Sequence, residues 1–408
     1  MTASLSETFT TLSDGSSTSA RGFRAGALAA GIKASGKPDL GIWASEAPCV
    51  AVATFTQNAF PAAPVVLSRE RLRANARAQA VVFNAGNANA CNGQQGLADA
   101  REMAQLAARH LGIEPDLVLA ASTGLIGQPM PMDLVRAGIP RVEVRPDGGH
   151  EAARAIMTTD TRPKECAVAL EVGGREVRIG GMTKGVGMIH PNMATMLAFV
   201  GTDASLEPSF AAGALKRVVD RTFNMITVDG DTSTNDSCFL LANGLSGAPA
   251  IDAESSEAER FVAALEAVCT DLARKMAADG EGASKLLQVD VSGARSEADA
   301  RAAARAVVGS NLVKAALHGE DPNWGRVFAA VGNSGARVDT ARAALWIGSV
   351  QVAREGISTG VSKDEARAQM HGSEVTMRVD LGLGNAAARA WGCDLTEAYV
   401  VENSAYST

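Results

Sequence analysis

The chain has 408 residues, 46% of them hydrophobic and 20% charged, with 38 Lys and Arg against 45 Asp and Glu for a net charge of −7. That length allows two or three domains at roughly 100–200 residues each, and the acidic balance offers no basic field for a nucleic-acid backbone. No run reaches the roughly 18 apolar residues of a membrane span, and the first residues lack the basic and apolar regions of a signal peptide, so a cytoplasmic protein acting on small metabolites is expected, without nucleic-acid or membrane partners.

In chain order, periodicity predicts a strand over 49–55, a helix over 69–80, a strand over 80–83, a helix over 97–111 and strands over 117–121, 167–172 and 196–201. Helices over 210–221 and 257–278, a strand over 287–291, a helix over 296–308, a strand over 345–352, a helix over 363–370 and a strand over 374–379 follow. The fold class is therefore α/β (α+β), with mixed sheets flanked by helices. Polar, turn-forming loops are expected at 84–91, 229–236 and 321–326, each directly after an apolar run, and together they suggest one polar cleft. The six cysteines are scattered without a CxxC spacing, which argues for reduced, buried thiols. HExxH, GxSxG, a complete phosphate-binding loop and an EF-hand loop are absent from the sequence.

The segment 181–200 reads as a flexible Gly-rich turn carrying Lys184, followed by Pro191, Asn192 and a hydrophobic strand that Thr195 opens. A hydroxyl is a weak nucleophile without a base beside it. The α-amine released by cutting before a Thr, with a reference pKa of about 7.7–8, can serve as that base. The small Ala194 leaves its carbonyl open to the Thr195 hydroxyl, so an N-to-O acyl shift followed by ester hydrolysis would free Thr195. On physics alone, an ordinary threonine at a strand start is the simpler account.

The string KGVGMIHPNMATMLAFVGTDA (184–204) resembles the self-processing site of the ornithine acetyltransferase family, also called glutamate N-acetyltransferases. GIKASGKPDLG, NAGNANACNGQQG, ASTGLIG, MTTDTRPKE, ITVDGDTSTND, DGEGASK, DPNWGR and the terminal ENSAYST resemble that family's landmarks in the family's order. The resemblance covers essentially the whole chain. It implies a two-lobed, self-processing fold like that of N-terminal nucleophile enzymes, cut between Ala194 and Thr195 into an α chain of 1–194 and a β chain of 195–408. Residues 195–284 would complete the catalytic lobe and a second lobe would begin near 285, in an α2β2 assembly.

By the same resemblance, Thr195 takes the acetyl group of N2-acetylornithine and passes it to glutamate in a ping-pong cycle of arginine biosynthesis. Thr123 and Gly124 match the oxyanion pair. Thr161, Lys184, Thr195, Glu281, Asn403 and Thr408 match substrate-binding positions, and neighbouring Thr159 fits the spacing of Thr161 equally well. No tightly bound cofactor or metal is implied, with acetyl-CoA left open as a co-substrate. Ala85 and Ser284 depart from the family, where Ser and Thr are usual. The rival readings are a self-processed amidohydrolase or aminopeptidase using Thr195 with water, and an uncut, non-enzymatic amino-acid-binding protein.

Overall fold

The structure, a computed structural model, describes residues 9–189 and 196–405. Its strands are β1 Thr10–Thr11, β2 Phe23–Leu28, β3 Leu40–Phe55, β4 Arg77–Asn87, β5 Val118–Leu125, β6 Lys164–Val172, β7 Arg175–Lys184 and β8 Leu197–Thr202. They continue with β9 Ile226–Thr227, β10 Ser237–Ala242, β11 Leu286–Ala294, β12 Ala344–Ile347, β13 Val350–Arg354, β14 Ile357–Ser358, β15 Glu374–Asp380 and β16 Ala386–Cys393. The helices are α1 Ala63–Ala74, α2 Gly93–Leu111, α3 Met132–Gly138, α4 Gly149–Ala155, α5 Pro208–Arg221, α6 Ala258–Ala278, α7 Glu297–Val308, α8 Asn311–His318, α9 Trp324–Gly332, α10 Lys363–Ala368 and α11 Glu397–Ala405.

Among the described residues these strands form two mixed sheets, as the α/β expectation requires. The first runs β1-β6-β7-β8-β10-β3-β4-β5 with β2 also on β3, and the second runs β14-β13-β12-β15-β11-β16-β9. Alternation decides what each face of the first sheet meets. Trp43, Phe83, Phe199 and Phe239 point to one side, where Phe23 stacks on Trp43 at 4.9 Å and Phe199 on Phe239 at 5.7 Å. Ile42 and Val82 point to the other side, toward α1 and α2, and Val200 and Leu240 toward α5 and α6. α6 buries Phe261, Leu265, Val268, Leu272 and Met276 in a core that also takes Leu287, Val289 and Trp391 of the second sheet, so one core is continuous across both sheets.

Four local expectations are corrected. The helix expected over 69–80 ends at Ala74, because Asn75 takes an extended conformation and the apolar run after Arg77 pairs with β3. Of the Gly-rich segment carrying Lys184, residues 181–184 belong to strand β7 and the chain bends only at 186–188. The glycines of β7 answer to packing: a Cβ on Gly180 would sit 2.2 Å from the Ser16 carbonyl oxygen, and one on Gly181 3.1 Å from Leu272. The strand expected over 345–352 is the hairpin β12–β13, reversed at Gly348 with φ +56°. In the loop expected at 321–326, Asn323 caps α9 by accepting the Arg326 N–H. Of the cysteines, Cys91 is exposed and the other five are buried and free.

Candidate active site

A cleft of about 190 Å³ is lined by Thr123 and Gly124 of β5, Thr158 and Thr159, Lys184 at the end of β7, Gly187, Met188, Asp229, Asp231, Asn235, Glu281, and Tyr399 and Asn403 of α11. The polar loops at 84–91 and 229–236 both reach it, through Ala88 and through Asp229 to Asn235; the loop at 321–326 is absent from its lining. A larger groove of about 1030 Å³ along α6 contains none of these residues, and its rim is occupied by ion pairs such as Arg217–Glu259 and Arg274–Glu374.

On one side, Asn235 clamps the strand ends: its amide donates to the carbonyls of Ala88 at 2.6 Å and Ser122 at 2.8 Å. Ser122 in turn donates to Asn84 at 2.6 Å. This fixes the backbone through Thr123 and Gly124. Gly124 has φ +130°, and a Cβ there would lie 2.3 Å from the Gly86 carbonyl carbon, so only glycine fits.

Behind the cleft is a buried charge network. Asp160 accepts from Lys164 Nζ at 2.7 Å and from the Gly185 N–H at 2.8 Å, with Lys184 Nζ 3.9 Å away. Lys164 is completed by Asp279 at 2.6 Å. Burial would raise the Asp160 pKa, but the charges of Lys184 and Lys164 outweigh it and hold it at about 2. Burial, aided by Lys164, lowers the Lys184 pKa against the pull of Asp160. Asp236 is buried and its pKa is pushed well above the usual carboxylate range by desolvation. One oxygen accepts the Met196 N–H at 2.8 Å and the other has no hydrogen-bond partner.

The opposite rim is acidic. Glu281 accepts the Thr159 hydroxyl at 2.6 Å and the Asn403 amide at 2.9 Å. Asp229 accepts the N–H groups of Met188 at 2.5 Å and Ile189 at 2.8 Å, and burial raises its pKa. Burial first, then the Asp229 and Glu281 charges, push the Tyr399 phenol upward. Thr396 ties the start of α11 to the Gly282 carbonyl at 2.7 Å.

Of the residues singled out in the sequence, Thr123, Gly124, Lys184, Glu281 and Asn403 meet in this cleft. Thr161 is not among its lining residues: its N–H and hydroxyl both donate to Asp279, and Thr159 is the neighbour that reaches Glu281. Ala194, Thr195 and Thr408 lie outside the described residues. The sequence marked Asp229, Asn235 and Asp236 only as members of the polar loop at 229–236, without individual roles, and it missed Asp160, Lys164 and Tyr399; the signal available for Asp160 and Lys164 was the density of polar residues in MTTDTRPKE. Among the described residues no cluster of His, Cys, Asp or Glu could hold a metal ion, and no helix is long and apolar enough to cross a membrane.

Residues 24–408 match the ArgJ family. A relative named arginine biosynthesis bifunctional protein ArgJ from Symbiobacterium thermophilum is 53% identical over 398 residues, covering 97% of this chain and 99% of that protein. Another of the same name from Bacillus anthracis is 43% identical over 403 residues, covering 98% of each. A solved structure of arginine biosynthesis bifunctional protein argJ from Bacillus halodurans is 42% identical, covering 50% of this chain and 96% of its own, with a TM-score of 0.49. By the family match and the two relatives that align along nearly its whole length, the chain belongs to the ArgJ family, the acyltransferases of arginine biosynthesis.

Proposed function

We propose that the protein is a self-processing glutamate N-acetyltransferase that moves the acetyl group of N2-acetylornithine to glutamate through an acetyl ester of Thr195. The observation that carries this reading is the convergence of Lys184, Glu281, Thr123 and Gly124 on one cleft. A cation for an α-carboxylate, a carboxylate for an ammonium group and two donors for an oxyanion stand together there. Met196, which is bonded to Thr195, is held by Asp236 on the next strand pair.

In maturation, the Thr195 hydroxyl attacks the Ala194 carbonyl carbon, the peptide C–N bond breaks, and water hydrolyses the ester to leave a carboxylate on 194 and a free amine on 195. In the first half-reaction that amine takes the hydroxyl proton as the oxygen attacks the acetyl carbon. The charge on the acetyl oxygen is met by the Thr123 hydroxyl and the Gly124 N–H, each donor of this kind contributing about 100- to 1000-fold in rate. Collapse breaks the acetyl C–N bond, the proton passes to the departing amine, and ornithine leaves. The neutral α-amine of glutamate then attacks the ester and regenerates the hydroxyl.

Lys184 orients the α-carboxylate of either substrate. No tightly bound cofactor takes part; acetyl-CoA serves as a second donor, and the word bifunctional in the relatives' names supports a second activity. Asn403 and Thr408 are further substrate-binding positions in this reading, with Thr159, which lines the cleft, in the place the resemblance gave to Thr161, and with α and β chains remaining together as a cytoplasmic α2β2 assembly.

The test is an intact mass spectrum under denaturing conditions, paired with a transfer assay. A 42.0 kDa chain cut after residue 194 of 408 gives fragments of roughly 20 and 22 kDa. Wild type should show both, and Thr195→Ala should stay whole and inactive. Ornithine released at one rate with or without glutamate, and no N-acetylglutamate formed, would make the protein an amidohydrolase instead.

A further inference from the structure

The described residues lining the cleft include one basic side chain, Lys184, and three carboxylates, Glu281, Asp229 and Asp231. Two of the three are already engaged. Glu281 is held by the Thr159 hydroxyl and the Asn403 amide, and Asp229 by the backbone of Met188, Ile189 and Asp231. Asp231 differs: its backbone N–H donates to Asp229, yet its own carboxylate accepts no hydrogen bond and pairs with no cation among the described residues. It stands exposed at the cleft, close enough to add to the field on Tyr399.

The proposed donor and acceptor differ most at the end of the side chain. N2-acetylornithine ends in an ammonium group and glutamate in a carboxylate. Lys184, the Thr123–Gly124 pair and Glu281 account for the α-carboxylate, the acetyl group and the α-amino group of the free amino acids, which leaves that end unassigned. Resting on the reading above, we propose that Asp231 is a specificity-determining residue that receives the terminal ammonium of a diamino-acid donor at the cleft mouth and repels the terminal carboxylate of the acceptor. Removing its charge therefore acts on the two substrates with opposite sign.

The experiment measures both half-reactions of the cleaved enzyme in wild type, Asp231→Asn and Asp231→Glu, with N2-acetylornithine and with N2-acetylnorvaline, which has the same carbon chain and no terminal amine. Exposed ion pairs of this kind shift binding by roughly two- to fivefold. Asp231→Asn should raise KM for N2-acetylornithine by about that factor, lower KM for glutamate, leave N2-acetylnorvaline unchanged and preserve kcat, while Asp231→Glu restores wild-type values. The shifts should shrink at high salt. KM values that are unchanged, or that move the same way for both substrates, overturn the proposal while leaving the transferase reading intact. Wild type that transfers no acetyl group overturns the reading on which it rests.

Discussion

The two sides of the cleft carry charge by different means. The wall is built of side chains sealed inside the fold: Asp160 and Lys164 have no exposed side-chain surface and Asp279 almost none, and each ion is met by an opposite charge. The rim is completed by α11, a helix without a buried residue, tied down by the Thr396 hydroxyl on Gly282, the Asn403 amide on Glu281 and the ion pair of Glu397 with His318 at 3.4 Å. A charge in the wall cannot relax, so it fixes the direction of a substrate's carboxylate. The exposed charge on the rim, Asp231, sits in a high-dielectric setting and tunes which side chain is accepted. The comparison predicts that wall substitutions are felt as stability and rim substitutions as specificity.

The sharpest way to break that comparison is Lys164→Met. It takes from Asp160 and Asp279 their shared buried cation, leaving the first with Lys184 at 3.9 Å and the second with Arg162 at 3.8 Å, and removing one partner of a buried pair costs about 3–5 kcal/mol. Urea unfolding should show a loss of that size; a loss under about 1 kcal/mol, the usual worth of an exposed pair, would mean that the wall is no different from the rim.

Gly187→Ala probes where wall and rim meet. A Cβ there would lie 2.2 Å from Glu281 Oε2, the far end of a side chain that can swing away. The fold should survive with an unchanged melting temperature, while kcat/KM falls about 100-fold because a misplacement near 1 Å at a reacting centre costs that much. Melting and steady-state kinetics on the same sample decide it.

How much of this was legible follows from range in sequence. The strand at β8 could be read because 196–201 is a short, uninterrupted apolar run, as a strand buried on both faces requires: Leu197 and Phe199 face one core and Ala198 and Val200 the other. α6 could be read from an equally local signal at period 3.6. The end of β7 was misread because Gly181 looks like a turn former, and the reason for it, close approach of Leu272, lies far away in the chain. The Asp160–Lys164–Asp279 network was invisible on the same ground: Lys164 and Asp279 stand 115 residues apart, and no local pattern marks two charges as partners. Thr123, Gly124, Lys184 and Glu281 were picked out by motif resemblance, since each alone is an ordinary turn or surface residue.

The wall also makes a prediction in pH. Asp160 has a folded pKa of about 2 against 3.8 for the free side chain. A carboxylate with a depressed folded pKa stabilises fully above the unfolded value and loses that contribution as pH falls through the folded one. Stability traceable to Asp160 should therefore be constant from pH 7 to 5 and decline by about 2 kcal/mol between pH 4 and 2. Measured as the difference between wild type and Asp160→Asn, a gap that stays level down to pH 2 would show that the two lysines do not hold this carboxylate ionised.

The smallest expected effect tests the rim. Asn403 donates one hydrogen bond to Glu281 at 2.9 Å and one to the Tyr399 carbonyl at 3.0 Å, and it is exposed. Asn403→Ala frees one oxygen of Glu281, which keeps the Thr159 hydroxyl on the other. A hydrogen bond to a charged group in contact with water contributes about 1 kcal/mol, so KM should rise about fivefold with kcat and melting temperature unchanged. A fall in melting temperature of several degrees would show that α11 is welded to the fold after all, and that the rim shares the rigidity of the wall.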